Sequence, residues 1–334
     1  MRLLVTGGAG FVGSHFIRHV LSEHPGWQIV NLDKLTYAGN LKNLKDVEDS
    51  PRYRFVRGDI ADTEAVGALL REGIDVIANF AAESHVDRSI PDPSPFVETN
   101  IKGTQTLLEG ARQYGVGKFL QVSTDEVYGS IEAGKFTEEA PLSPTNPYAA
   151  SKAAADLLCL ACWKTHRLPV VVTRCSNNYG PFQFLEKLIP LAVTNALDNK
   201  PVPIYGDGLN VRDWIYVLDH CRAVDLAVRN GKPGEVYNVA AGRERANLEL
   251  VRRLLDTMGK PQSLITFVAD RPGHDRRYAL DTGKITRELG WAPVHSFEES
   301  FTATISWYLD NEPWWRRIER GAYPEYYQAM YSER

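Results

Sequence analysis

The chain has 334 residues, 43% hydrophobic and 24% charged, enough to bury the core of one large domain or two closely joined ones. A formal net charge of −4, with no basic run interleaved with aromatics, lacks the electrostatic footprint of a nucleic-acid or anionic-membrane partner. Four cysteines are too few for a disulfide scaffold, and Met1-Arg2-Leu3-Leu4-Val5-Thr6 runs into glycines instead of a long apolar segment, so a soluble cytoplasmic protein is expected.

Residues 3–6 read as a buried strand. Gly7-Gly8-Ala9-Gly10-Phe11-Val12-Gly13 follows at once, setting Gly7, Gly10 and Gly13 three apart at the start of a helix with Phe16, Ile17, Val20 and Leu21 on one stripe. Glycine there lets backbone approach a pyrophosphate, and the helix N-terminus supplies amide donors and positive potential. The second strand, 29–32, ends at Asp33, about 20 residues past Gly13, where a carboxylate accepts from a ribose diol and repels a 2′-phosphate. NAD is therefore favoured over NADP, with Lys34 next door arguing the other way. A third strand, 53–56, leads to Gly58-Asp59-Ile60 beside an adenine. The fourth, 76–80, ends at Phe80-Ala81-Ala82, where small side chains let a nucleotide run close; Val66, Leu69 and Leu70 stripe the helix between them.

The fifth strand, 119–123, leads into Thr124-Asp125-Glu126. In a regular strand the two acids point to opposite faces, so both serve one ligand only if the strand has ended and the backbone bends. Thr145-Asn146-Pro147 supplies an N-cap and a first-turn proline for a helix that carries Tyr148 and Lys152 at i and i+4. A phenol of pKa about 10 is a poor base, and lowering it by roughly three units takes about 4 kcal/mol of preference for phenolate. The Lys152 ammonium and a positively charged nicotinamide ring are expected to provide it. Hydride transfer alone does not need Asp125 and Glu126, so proton transfer on carbon and oxygen is expected as well. Cys159 and Cys162 form a C-x-x-C in the same helix with no second pair or clustered His, and are read as small core residues; no metal is expected.

With a sixth strand at 170–173, this alternation predicts an α/β fold: a Rossmann-type doubly wound parallel sheet over 1–178, with a return segment at about 213–240. Pro181, Pro190, Pro201 and Pro203 then break the pattern, which predicts a smaller mixed α/β C-terminal substrate lobe from 179–212 and 241–334. Trp307, Trp314, Trp315 and the tyrosines after Gly321 read as aromatic packing of a terminal helix and tail.

The stretches 6–14, 35–40, 81–89 (Ala81-Ala82-Glu83-Ser84-His85-Val86-Asp87-Arg88-Ser89), 123–129, 175–181, 186–191, 204–208 with Arg212-Asp213-Trp214, and 270–275 together resemble the extended short-chain dehydrogenase/reductase superfamily. Within it they resemble the dTDP-glucose 4,6-dehydratase family. The resemblance implies a homodimeric NAD-dependent lyase acting on dTDP-glucose, its subunits paired through helices near 100–111 and 148–165. It implies that Tyr148 takes the proton of the glucose 4-hydroxyl, which Thr124 helps to bind, as hydride leaves C4. Glu126 then takes the C5 proton, Asp125 protonates the departing 6-hydroxyl, and hydride returns to C6. It places Gly7, Gly10, Phe11, Val12, Gly13, Asp33, Lys34, Leu35, Thr36, Asp59, Ile60, Phe80, Ala81, Ala82, Ser84, Thr99, Tyr148, Lys152 and Asn178 at the cofactor. Ser84, Thr124, Asn177, Lys187, Leu188, Ile189, Pro190, Leu191, Pro203, Ile204, Tyr205, Arg212, Asn247, Asp270, Arg271, Pro272, Gly273 and His274 are placed at the sugar nucleotide, and Arg212 and Arg271 suit its diphosphate. Leu185 departs from the family pattern where proline is expected, and Arg243 and Ala246 near Asn247 stand where asparagine and threonine are commoner. A nucleotide-sugar 4-epimerase shares the glycines and the Tyr148-Lys152 pair but lacks paired acids, and an idle NAD-binding protein needs neither. The remaining alternative is a 4,6-dehydratase of another nucleotide-hexose.

Overall fold

A computed structural model describes residues 1–320 and Tyr327 of the chain. Its strands are β1 (Arg2–Thr6), β2 (Gln28–Asp33), β3 (Tyr53–Arg57), β4 (Val76–Asn79), β5 (Lys118–Thr124), β6 (Val170–Cys175), β7 (Asn177–Tyr179), β8 (Val202–Tyr205), β9 (Val211–Tyr216), β10 (Val236–Val239), β11 (Glu244–Ala246) and β12 (Ile265–Val268). Seven of them form one sheet in the order β10-β6-β5-β4-β1-β2-β3, with every neighbouring pair parallel.

Such a sheet is covered on both faces, so the apolar side chains of one strand pack on both sides of it. In β1, Leu3 and Val5 pack with Phe16, Ile17 and Val20 of the helix Phe11–Glu23 and with Val224 and Ala227 of the helix Val217–Asn230. Leu4 points the other way, toward Val66, Leu69, Leu107 and Phe119. Removing one such ring, as in Phe16→Ala, costs about 3–5 kcal/mol. A buried polar ladder crosses the central strands: Thr6 Oγ1 donates to Asn79 Oδ1 at 2.5 Å, and Asn79 Nδ2 donates to Gln121 Oε1 at 2.8 Å. The Thr6 hydroxyl, both ends of the Asn79 amide and Gln121 Oε1 are paired, so the ladder fixes register at little cost.

The helix Pro147–His166 begins as its sequence predicts, with Asn146 Oδ1 accepting from Ala149 N at 2.9 Å and Pro147 in the first turn. Cys159 and Cys162 are buried and unbridged, and they pack into the core beneath it. Beyond β6 the chain builds a three-stranded sheet, β11-β9-β7, and a parallel pair, β12-β8. Over them lies an aromatic core that includes Trp214, Phe297, Phe301, Tyr308 and Trp315, with Trp307, Trp314 and Tyr327 packed against it. The other residues after Arg320 lie outside those described. Leu185, where proline was expected, fills this core as well. Pro190 does not break the chain; it sits in the first turn of the helix Leu188–Leu197, where its missing N–H costs nothing. Among the described residues no helix is long and apolar enough to cross a membrane.

Candidate active site

The strand order reverses between β1 and β4, and the crevice at their carboxyl ends is where an open α/β sheet takes a ligand. Gly7 turns there at φ +68°, and a Cβ on it would stand 2.6 Å from Ala81 N; a Cβ on Gly13 would collide with Gly7 O. Glycine alone lets the loop, the helix start and the end of β4 close together. Gly10, the N-cap of Phe11–Glu23, has no side-chain cap, which leaves first-turn N–H groups for an anion. Asp33 is 8% exposed; its Oδ2 accepts from Ala9 N at 2.9 Å and its Oδ1 from Leu35 N at 2.8 Å. Each oxygen keeps a lone pair for a ribose hydroxyl. Lys34 is drawn aside into an ion pair with Asp59 at 2.6 Å. Glycine cradle, uncapped helix and diol acceptor lie in one cavity wall, and this donor and acceptor set fits a dinucleotide.

At the reacting end β5 stops at Thr124 and the chain enters a 3-10 turn, Asp125–Tyr128. Thr124 Oγ1 accepts from Glu126 N at 3.3 Å and donates to Asp125 Oδ1 at 3.2 Å, and this bend brings both carboxyls to one cavity wall with Tyr148 and Lys152. Asp125 is 3% exposed and its Oδ2 has no hydrogen-bond partner. Burial drives its carboxyl well above the usual range, the charge of Glu126 adds to this, and Arg212 opposes it. Asn146 Nδ2 donates to Glu126 Oε2 at 3.4 Å.

In the protein alone the Tyr148 phenol is raised, so the expected lowering would need the nicotinamide ring. Burial raises its phenol well above the ordinary value, Glu126 and Asp125 add to this, and a hydrogen bond with Thr124 works against it. Lys152, whose Nζ donates to Val122 O at 2.7 Å, is itself disfavoured as a cation by burial and sustained by Asp156. Burial first, and the carboxyls that share its cavity second, favour the protonated phenol; a bound positive charge would favour phenolate.

A second cavity adjoins the first, and Glu126, Asn177, Glu186 and Lys187 line both. Arg212 reaches it with its guanidinium 4.2 Å over the Tyr278 ring, while its Nη2 donates to Asp275 O at 2.8 Å. Arg271 Nη1 lies 3.6 Å from Asp87 Oδ1, and its Nε is buried without a hydrogen-bond partner. Lys187 Nζ donates to Ser84 O at 3.0 Å; burial works against its charge and Glu186 sustains it. Two guanidiniums and an ammonium in one concave wall suit a diphosphate.

Of the residues expected at the cofactor, only Leu35 lies outside the first cavity wall; it turns at φ +57° and donates its N–H to Asp33. Of those expected at the sugar nucleotide, Ser84 and Thr124 line the first cavity, and Asn177 and Lys187 line both. Leu188, Leu191, Pro203, Ile204, Tyr205, Arg212, Asn247, Arg271 and His274 line the second. Five line neither cavity. Helical periodicity turns Ile189 into the core and buries Pro190, while Leu188 and Leu191 face the ligand side. Asp270 stands behind, accepting from His274 Nδ1 at 2.6 Å, and Gly273 O accepts from Thr145 Oγ1 at 3.4 Å, tying the loop that includes Pro272 to the Tyr148 helix. Sequence reasoning missed His85, Val86, Asp87, Glu186 and Trp214 of the second cavity. All five stand in the stretches that carry the resemblance, which was the available signal.

Residues 4–304 match the family described as GDP-mannose 4,6 dehydratase. A dTDP-glucose 4,6-dehydratase of Streptomyces antibioticus is 54% identical over 325 residues, 96% of each chain. The dTDP-glucose 4,6-dehydratase of Streptomyces venezuelae, solved with NAD and dTDP bound, is similar in structure at a TM-score of 0.94 and 54% identity, covering 95% of this chain and 100% of that one. The UDP-glucose 4-epimerase of Thermus thermophilus, solved with NAD, is also similar, at a TM-score of 0.87 and 33% identity over 93% of this chain and 100% of its own. With relatives at this identity over nearly its whole length, and with paired acids bent into the cavity of its tyrosine and lysine, the chain belongs to the dTDP-glucose 4,6-dehydratase family of the extended short-chain dehydrogenases/reductases.

Proposed function

We propose that the chain is a hydro-lyase that converts dTDP-glucose to dTDP-4-keto-6-deoxyglucose and water, with NAD as a recycled cofactor. The observation that carries this reading is the turn after β5, which sets Asp125 and Glu126 in one cavity with Tyr148, one acid buried with an unpartnered oxygen. Gly7, Gly10, Gly13 and Asp33 would hold NAD, which when bound would supply a positive ring favouring the Tyr148 phenolate and a hydride acceptor and donor for C4 and C6. Tyr148 accepts the proton of the 4-hydroxyl, held by Thr124, and Lys152 supports the phenolate. The C4 ketone acidifies C5, Glu126 removes the C5 proton, and Asp125, kept neutral by its surroundings, protonates the 6-hydroxyl so that it leaves as water. Glu126 then returns a proton to C5. Each acid–base role is worth about 10² to 10⁴ in rate, or about 3–5 kcal/mol.

Arg212, Arg271 and Lys187 hold the diphosphate. Residues 1–178 with the return segment at about 213–240 act as the NAD-binding domain, and 179–212 and 241–334 as the nucleotide-sugar lobe. Two copies pair through the helices near 100–111 and 148–165; Val97, 52% exposed, and Leu157, 57% exposed, support an apolar contact there. The enzyme is cytoplasmic in this reading. Purified protein incubated with dTDP-glucose and no added NAD is expected to give a product lighter by one water, with a C4 deuterium found at C6. An unchanged mass with inverted C4 selects an epimerase, and parallel incubations with UDP-, GDP- and CDP-glucose fix the base.

A further inference from the structure

Tyr37 is not used by the mechanism above, yet it stands between two segments that wall the cofactor cavity. Its neighbours Thr36, Ala38 and Gly39 line that cavity, and so do Phe184 and Glu186 from far along the chain. The Tyr37 hydroxyl donates to Glu186 Oε1 at 3.0 Å, its ring meets the edge of Phe184 at 5.3 Å, and the Arg88 guanidinium lies 3.9 Å over its face. Arg88 Nε also donates to Glu186 Oε2 at 3.0 Å, so one buried carboxylate joins three separate segments. Glu186 lines the second cavity too. Burial, with the charges of Glu186 and Glu83, drives the Tyr37 phenol well above its ordinary value, so it remains a donor.

We propose that Tyr37 bolts the cofactor cavity: it is a positioning residue that retains NAD between turnovers and links that retention to occupation of the sugar-nucleotide cavity. The inference rests on the dehydratase reading. Hydride taken from C4 goes back to C6 of the same sugar, so a cofactor lost between the two steps strands a ketone on the enzyme, and holding the cofactor has a chemical purpose. An adenosine seated against residues 34–39 leaves freely only when that segment parts from residues 182–187, which breaks the Tyr37–Glu186 bond. Because the same carboxylate walls both cavities, a nucleoside diphosphate in the second steadies the bolt. By linkage, NAD must then raise the affinity for that diphosphate by the same factor.

The test follows cofactor release, not turnover. Holoenzyme charged with labelled NAD is diluted into excess unlabelled NAD, with and without dTDP, and the label still bound is measured by rapid filtration. Wild type is expected to release slowly, and more slowly with dTDP. Tyr37→Phe keeps the ring and loses one hydrogen bond to a charged acceptor, so release should speed up roughly 10-fold and the response to dTDP should shrink. Turnover with NAD in excess should stay at the wild-type level, because the hydroxyl touches no reacting group. Tyr37→Leu, which also loses the Arg88 and Phe184 contacts, should release faster still. Tyr37→Phe with wild-type release and an undiminished dTDP response overturns the bolt while leaving the dehydratase reading intact. A wild type that loses NAD freely and ignores dTDP also overturns the bolt, while the dehydratase reading stands or falls on the product mass.

Discussion

Asp125→Asn removes a proton donor and almost nothing else. In the folded protein this carboxyl is 3% exposed, one of its oxygens meets Thr124, the other has no partner, and burial together with the Glu126 charge keeps it protonated well above 3.8. Asparagine matches that neutral group in shape, and Oδ1 still accepts from Thr124. By linkage, a folded pKa above the unfolded value contributes stability fully present below 3.8, and that contribution is lost as pH rises through the folded value. The variant should therefore be at least as stable as wild type at neutral pH, so lost activity cannot be laid to unfolding. Catalysis loses one general acid, about 10² to 10⁴ in the elimination step. The assay runs in D2O and follows two events by mass spectrometry, uptake of deuterium at C5 and loss of water. Asp125→Asn should still exchange C5, which depends on Glu126, while dehydration slows by at least about 100-fold. Wild-type turnover should fall as pH rises through the Asp125 pKa, and that limb should vanish in the variant. Dehydration within about threefold of wild type, or loss of C5 exchange in a variant with wild-type Tm, refutes the assigned role.

Tyr148→Phe keeps the ring packed but removes the acceptor for the 4-hydroxyl proton; labelled NAD should bind as in wild type, while C4 oxidation, followed as C4 deuterium loss, falls by about 10² to 10⁴. Asp156→Asn strips the partner from Arg174, whose Nε lies 2.8 Å from Asp156 Oδ2 with both groups buried, and should cost about 3–5 kcal/mol by denaturant titration. Arg174→Met in the same chain should restore part of that loss, because the unpaired guanidinium is gone while Lys152 still lacks the Asp156 charge.

The first six strands were legible because a parallel strand covered on both faces carries consecutive apolar residues: Leu3, Leu4 and Val5 each meet a core, on alternate sides. The small sheets were not. Asn177–Tyr179 and Glu244–Ala246 are three residues each, too short for alternation, and they are strands only because β9 lies between them. At the site, helical spacing placed Tyr148 and Lys152, and the need for a bend after β5 could be stated in advance. The direction of the Tyr148 phenol's shift could not, because it depends first on burial and then on two carboxyls whose distance through space no spacing reveals. Ile189 and Pro190 show the same limit from the other side: a contiguous matching run was read as all ligand wall, and the helix turns two of its residues inward.

The central claim is that hydride taken from C4 returns to C6 of the same sugar within one site. A crossover incubation tests it directly: dTDP-glucose carrying deuterium at C4 is mixed with dTDP-glucose carrying ¹³C throughout an undeuterated hexose, no NAD is added, and the products are resolved by mass. Deuterium is predicted at C6 of the ¹²C product only, with one water lost from both. Deuterium spread onto the ¹³C product, or kept at C4, contradicts the claim.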